Sequence, residues 1–228
     1  MEWVSIAKKE IVINTSIEKV WQALTIPELR NKWETRQCEI DLCKGGKIYL
    51  DYGWNVTYEG VIVEIKENEK LVLEDIDGYY TTWTLQSQGE MTNVSIEYTG
   101  NWVGDHGISE MENMLFGTFQ FMLNLKTVME DKYDQREHFW KSWLGLNNRT
   151  ENDRVKVVHV HEDTPVSGKV QMGDYIHAVN GEVVNHYDGC EFAITHQPVG
   201  TEIKLDIERN EKQIKIIANT IPYGTALR

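Results

Sequence analysis

The spacing of hydrophobic and polar positions changes several times along the chain, and each change marks a predicted element. Alternation within residues 3–13, followed by capping residues at 14–16, predicts a strand that leads into a short helix. A second short helix is expected to begin at Pro27. Alternating runs separated by turn signals fill residues 38–100, which predicts a meander of antiparallel strands.

A helical period replaces this alternation between residues 109 and 132. One face of the predicted helix carries Met111, Leu115, Thr118, Met122, Leu125 and Met129. A helix this long beside so many strands is expected to lie across the concave face of the sheet. The polar stretch 131–137 predicts a linker, and strand-like alternation then returns around one short helix at 188–197.

Charge and composition support a chain of two globular parts. The net charge of −13 is uneven, because residues 1–139 carry 13 Lys and Arg against 24 Asp and Glu, whereas residues 140–228 carry 10 against 12. The acidic first part argues against nucleic acid as a partner. No apolar run is long enough to predict a membrane span. We therefore expect an α+β protein with domains at 1–135 and 136–228.

Motifs for catalysis or for metal binding do not stand out. The sequence has no nucleophile elbow, zinc-protease helix or phosphate loop, and His159 and His161 share a predicted strand face without an evident third ligand. We expect no catalytic residues, no metal and no cofactor. Cys38, Cys43 and Cys190 lack paired spacing, and no signal-peptide pattern is present, so free thiols and a cytoplasmic location are predicted.

Several short motifs follow one another in a fixed order over residues 3–132. They are Val20-Trp21, Leu24-Thr25, Pro27-Glu28, Trp33, Gly45-Gly46, Glu59-Gly60-Val61, Leu125-Lys126 and Met129-Glu130. Together with the element order, they resemble the activator-of-Hsp-ATPase homologue branch of the SRPBCC superfamily. That resemblance implies a START-like, helix-grip fold, in which a curved antiparallel sheet wraps around one long C-terminal helix.

A sheet that grips a helix leaves room for a small hydrophobic ligand, and methionine adapts to irregular ligands. The side chains expected to line such a cavity are Trp33, Tyr52, Trp54, Tyr58, Trp83, Met111, Met114, Leu115, Thr118 and Met122. The alternative is that the same side chains only fill a core.

A second resemblance covers residues 141–222. The stretch from Gly173 to Gly181 matches the pattern Gly-Asp-x-Ile-x-x-Val-Asn-Gly of PDZ domains, and Thr164-Pro165-Val166 fits the turn upstream of it. The resemblance implies a small β-barrel or β-sandwich domain that binds a protein C-terminus by strand addition. Backbone N–H groups of a Gly-containing loop would hold the carboxylate. A PDZ domain that only packs against its neighbour is the alternative.

The peptide-contacting residues implied by this resemblance lie on the loop, the following strand and the short helix. They are Leu144, Gly145, Leu146, Asn147, Cys190, Ala193, Ile194 and Gln197.

The two resemblances together predict a non-catalytic binding or adaptor protein. Its expected partners are an unidentified small hydrophobic ligand or client segment, and the C-terminal peptide of another protein. Two alternatives stay open, namely a cyclase- or hydrolase-type enzyme that uses the helix-grip cavity, and a co-chaperone-like protein that uses its outer surface. An apolar cavity favours binding, a polar one with a paired acid and base favours catalysis, and a packed interior favours a surface role.

Overall fold

A computed structural model describes residues 2–225 of the chain, and these residues divide into two compact units. The N-terminal unit comprises Val4–Asn101 and Gly117–Glu137. The C-terminal unit comprises Trp102–Phe116 together with the described residues of Met1–Trp3 and His138–Arg228. The domain bounds expected from the sequence, 1–135 and 136–228, stay a prediction. In the structure the internal segment Trp102–Phe116 groups with the C-terminal unit.

Seven antiparallel strands form one sheet, in the spatial order β1-β7-β6-β5-β4-β3-β2. In chain order they are β1 (Trp3–Ile13), β2 (Gln37–Ile40), β3 (Lys47–Gly53), β4 (Val56–Lys66), β5 (Lys70–Glu74), β6 (Tyr80–Gln88) and β7 (Met91–Val103). Two short helices, α1 (Ile17–Thr25) and α2 (Pro27–Arg30), connect β1 to β2. The predicted meander is confirmed, because each strand from β2 to β6 pairs with the next strand in the chain.

The long helix α3 (Gly104–Glu130) follows β7 directly. We call residues 104–116 its first half and residues 117–130 its second half. The second half packs on the sheet within the N-terminal unit, where the Tyr98 hydroxyl lies 2.9 Å from the Thr118 hydroxyl. This arrangement is the helix grip that the sequence predicts.

The helix begins five residues earlier than its apolar period predicts. Gly104 adopts a φ of +67°, a conformation that glycine tolerates, and this lets the strand turn straight into the helix. Residues 104–107 lack an apolar side chain, so a hydrophobic period cannot detect them. The buried positions also extend beyond the predicted face and include Ser109, Phe116 and Asn124.

The segment after α3 is fixed by polar contacts. The fully buried Asn124 donates from Nδ2 to the Trp33 carbonyl at 2.7 Å and to Asp134 at 3.0 Å. Its Oδ1 accepts from the Gln135 backbone N–H at 2.6 Å. Arg136 adds a bond to the Thr35 carbonyl at 2.9 Å. The predicted linker is therefore tied to the N-terminal unit along most of its length.

The C-terminal unit is built on a second sheet, in the order β14-β13-β11-β10-β9, with β12 paired to β11. A separate pair joins β8 to β15. The elements are β8 (Ser142–Trp143), β9 (Leu146–Thr150), β10 (Val155–Val160), β11 (Tyr175–Val179), β12 (Glu182–Val183), helix α4 (Tyr187–Thr195), β13 (Glu202–Arg209), β14 (Lys212–Asn219) and β15 (Ile221–Pro222).

Two turn motifs explain why this sequence folds here. The buried Asp174 accepts two bonds from Arg209, each 2.7 Å long, and one from the Gln171 N–H at 2.8 Å, which fixes the entry into β11. Asn180 and Gly181 both have positive φ, as a tight turn of type I′ requires between β11 and β12. The predicted hairpin turn is confirmed.

Within residues 2–225, no helix has both the length and the apolar character that crossing a bilayer requires.

Asn124→Ala should lower the free energy of unfolding by about 1–3 kcal/mol, because the buried Trp33 carbonyl and Gln135 N–H would lose their partner. Urea denaturation measures the loss. Asn93→Ala, on strand β7, is the control and should cost far less. Equal losses for the two variants would contradict the role given to Asn124.

Candidate functional site

The loop between β8 and β9 has a geometry that only glycine allows. Gly145 has a φ of +83°, and a Cβ added there would lie 2.3 Å from Cγ2 of Thr164. The Gly145 carbonyl accepts from the His161 N–H at 2.9 Å, which holds the loop against the turn that follows β10. Leu144 and Leu146, on either side, belong to the hydrophobic core of the unit.

The strand after this loop is the outermost strand of its sheet. The Glu151 and Arg154 backbone groups bond to each other, at 2.8 and 3.1 Å, so Arg149, two residues before Glu151, also points its backbone groups toward β10. Since backbone groups of successive residues point to opposite sides of a strand, those of Leu146, Asn148 and Thr150 point away from β10. This outer edge and helix α4 form two walls, and we call the space between them the β9–α4 groove.

Helix α4 starts one residue before its predicted position. His186 is the N-cap and accepts from the Gly189 N–H at 3.1 Å. Tyr187 and Glu191 then reach β9: the Tyr187 N–H donates to Thr150 Oγ1 at 2.9 Å, and Glu191 Oε1 accepts from Asn148 Nδ2 at 3.1 Å. Sequence reasoning missed these two residues, although their four-residue spacing places them on one helix face.

The Glu191 carboxyl lies buried in the groove beside Asn148. Burial raises the pKa of Glu191 from 4.5 to about 7; the bond from Asn148 opposes this shift and the Asp188 charge adds to it. Asn148 Oδ1 is buried and has no hydrogen-bond partner among the described residues. A neutral Glu191 carboxyl can still accept the bond from Asn148, and its burial costs less free energy than burial of the carboxylate.

The first half of α3 closes the outer edge of β9. Ser109 Oγ donates to the Asn148 carbonyl at 2.6 Å, and the Thr150 N–H donates to Glu112 Oε2 at 2.6 Å. Burial raises the pKa of Glu112, and its bonds from Thr150 oppose this shift. All of these residues belong to the C-terminal unit.

Aromatic and polar side chains continue this contact along α4. The Phe116 ring meets the Tyr187 ring edge-on, with centroids 6.0 Å apart, and the Phe192 ring at 4.8 Å. The Tyr187 hydroxyl donates to Asn113 Oδ1 at 3.2 Å. Edge-to-face pairs at such distances are favourable beyond the area they bury.

Ion pairs hold the start of α3 to the same sheet. Asp105, in the first helical turn, lies 3.0 Å from Nη1 of the buried Arg149 and 2.9 Å from Nζ of Lys156. Glu2 lies 2.5 Å from Nη2 of Arg149. A negative charge at a helix N-terminus is also favoured by the helix dipole.

The interior of the N-terminal unit combines packed aromatic rings with one buried ion pair. The buried Trp33 and Trp83 rings meet edge-on at 6.3 Å, and Trp33 Nε1 donates to the Ala23 carbonyl at 2.9 Å. Arg30 Nε donates to Glu34 at 2.5 Å and Nη1 to the Leu24 carbonyl at 3.0 Å. Burial acts to lower the pKa of Arg30, but the Glu34 charge outweighs this effect and the pKa is raised.

The family models account for most of the chain. Residues 14–130, which are 117 of the 228, match the model described as Activator of Hsp90 ATPase homolog 1-like protein. The chain belongs to this family. Residues 142–220 match the model of the PDZ domain. The β9–α4 groove thus lies in a PDZ domain, and the seven-stranded sheet belongs to a helix-grip domain. No curated protein is significantly similar to the chain.

Solved structures show the same fold for the helix-grip part. The Aha1 dimer from Colwellia psychrerythraea is 20% identical, with a TM-score of 0.50 over 56% of this chain and 97% of that one. A protein from Staphylococcus saprophyticus is 14% identical, with a TM-score of 0.50 over 56% and 93%. A protein of unknown function from Staphylococcus aureus is 17% identical, with a TM-score of 0.50 over 57% and 96%.

The structure separates the residues predicted to line the helix-grip cavity. Trp33, Trp83 and Met122 are buried within the N-terminal unit, while Trp54 is 58% exposed in the turn between β3 and β4. The partly buried members of that unit are Tyr52, Tyr58 and Thr118. Met111, Met114 and Leu115 lie on the first half of α3, in the C-terminal unit. Ligand contact by any of them stays a prediction.

The residues predicted to contact a peptide fall into two groups. Leu144, Leu146, Cys190 and Ile194 belong to the PDZ core, and Ala193 packs against it. Gln197 Nε2 donates to the Ala193 carbonyl at 3.3 Å, and Asn147 Oδ1 lies 2.5 Å from His161 Nε2. Peptide contact by these residues also stays a prediction. No group of three or more His, Cys, Asp or Glu side chains in the described part of the chain is arranged to hold a metal ion.

Gly145→Ala should be more destabilising than Gly168→Ala. Both glycines have positive φ, which costs alanine roughly 1–2 kcal/mol. At Gly145 the methyl group would also collide with Thr164, adding about 1–3 kcal/mol, whereas at Gly168 it meets open space. Urea denaturation of the two variants measures the difference, and equal losses would show that the loop relaxes around the methyl group.

The stability of the protein should depend on pH through Glu191. Its folded pKa of about 7 exceeds the ordinary 4.5, so the native state holds the proton more tightly. The stabilisation is therefore complete at low pH and is lost as pH rises from about 4.5 to about 7, by about 2–3 kcal/mol. Glu191→Gln stays neutral and should lose less stability over this range, as measured by urea denaturation at pH 5 and pH 8. Identical losses would rule out a raised Glu191 pKa. Burial also raises the pKa of Glu112, so Glu112 adds a loss of stability with rising pH, and it does so equally in the wild type and in Glu191→Gln.

Proposed function

We propose that this protein is a non-catalytic adaptor. Its PDZ domain captures the C-terminus of a partner protein, and its helix-grip domain holds a small hydrophobic ligand or client segment. The observation that carries the proposal is the glycine loop at Gly145, which leads directly into the outermost strand of the PDZ sheet.

The loop supports capture of a terminal carboxylate. Positive φ at Gly145 changes the direction of successive backbone N–H groups, and such concave runs of N–H groups bind anions. Leu144, Leu146 and Ile194 surround the loop with apolar side chains in one core cluster. We therefore propose a partner whose last residue is apolar and whose C-terminus is free.

The interior of the helix-grip domain supports the second part of the proposal. Small-ligand sites are mostly apolar, with a few fixed polar groups that orient the ligand. The Trp33 and Trp83 rings and the buried Met122 supply apolar surface, and the Arg30–Glu34 pair supplies polarity. Because the two charges neutralise each other, we propose binding there rather than acid–base chemistry.

A peptide with a free C-terminus should bind the full chain more tightly than its amidated form. A hydrogen bond to a charged group contributes about 1.5–3 kcal/mol, so amidation should weaken binding on the order of tenfold to a hundredfold. Peptides are first selected from a C-terminal display library against the full chain, and calorimetric titration then compares the two forms. A variant peptide ending in Asp tests the apolar pocket. Equal affinities, or a selection that yields no free C-terminus, would refute peptide capture.

A further inference from the structure

Strand β9 is the outermost strand of the PDZ sheet, yet none of its five residues is exposed. An outermost strand normally presents unpaired N–H and C=O groups, and a PDZ ligand binds by pairing with them. In this protein the edge is already covered by another part of the same chain.

The covering contacts occupy two of the backbone groups that a peptide strand needs. A strand added beside β9 would pair with the outward backbone groups of Leu146, Asn148 and Thr150. The Asn148 carbonyl instead accepts from Ser109, and the Thr150 N–H donates to Glu112. Both bonds must break before a peptide can extend along the strand.

The second wall of the groove is covered by the same segment. Phe116 lies against Tyr187 and Phe192 of α4, and Asn113 accepts from the Tyr187 hydroxyl. The first half of α3 thus contacts both β9 and α4, as a bound peptide would.

We propose that the first half of α3 is an internal ligand of the PDZ groove, and that an external C-terminal peptide binds only when this segment leaves the groove. The inference rests on the peptide-binding function proposed above and adds its regulation. Ser109, Glu112 and Phe116 carry the contact, while Asp105, paired with Arg149 and Lys156, sets the position of the helix.

An incoming peptide can replace the contacts that the first half of α3 makes with β9. Helix α3 satisfies its own backbone groups within the helix, so only its side chains reach β9. An incoming peptide strand would replace these side-chain bonds with backbone bonds to the same Asn148 and Thr150 groups. If the groove is open only part of the time, the apparent association constant for the peptide equals the intrinsic constant multiplied by the fraction of molecules with an open groove.

Removal of the internal contact should increase the peptide affinity of the full chain. The variant Ser109→Ala/Glu112→Ala loses both side-chain bonds to β9, and we expect it to bind the selected free-acid peptide at least about tenfold more tightly than the wild type. Glu110→Ala is the matched control, because Glu110 lies on the same helix half and pairs with His106. Unchanged affinity in the double variant, or an equal gain in the control, would overturn the proposal.

A conservative variant separates hydrogen bonding from charge. Glu112→Gln keeps an acceptor oxygen for the Thr150 N–H but removes the negative charge, which could repel a peptide carboxylate. The proposal predicts that Glu112→Gln binds peptide nearly as weakly as the wild type. An affinity for Glu112→Gln as high as that of Ser109→Ala/Glu112→Ala would mean that charge repulsion, not occupancy, controls binding.

Hydrogen exchange tests the contact without any peptide. The Thr150 amide should exchange slowly in the wild type and at least about tenfold faster in Ser109→Ala/Glu112→Ala, while the Arg149 amide, which faces β10, stays protected. If both amides exchange equally in the two proteins, the proposed occupancy is wrong. If Thr150 exchange rises but no variant binds any free C-terminus, the occupancy is supported and the proposed peptide capture fails.

Discussion

The outer edge of strand β9 must have its backbone N–H and C=O groups paired, and the C-terminal unit depends on how this is done. Unpaired buried backbone groups are costly, so a covered edge needs partners. Ser109 and Glu112 supply two such partners, and they do so from a helix rather than from a strand. These two bonds fix the position of the first half of α3. As a result, Tyr187 and Glu191 face a covered surface and not an open one.

Buried asparagine side chains connect neighbouring segments in both units. In the helix-grip domain, Asn124 bonds to the backbone at Trp33 and Gln135, which fixes the start of the connection to the PDZ domain. In the PDZ domain, Asn148 joins β9 to α4 through Glu191. Each residue is buried, so loss of either would leave polar groups unpaired in a region of low dielectric, where the penalty is largest.

Much of the architecture follows from local sequence signals. Alternation predicts the meander, and Asn180-Gly181 predicts a turn that only positive φ values allow. The groove is harder to predict, because Ser109 and Glu112 are polar and the helical period assigns them to solvent. Their burial results from residues 38 or 39 positions further along the chain, which a local pattern does not contain. Trp54 shows the opposite case, since an aromatic residue expected inside lies in an exposed turn.

The continuity of α3 affects how this architecture can be recombined. The two family matches end and begin at residues 130 and 142, which would be natural points for gene fusion or for excision of either part. A PDZ domain transplanted from residue 142 would leave behind the helix half that seals its outermost strand. The bare edge would then be open to pairing with the strands of other chains, the usual route to edge-to-edge aggregation. Solubility therefore constrains where evolution, or an engineer, can divide this protein.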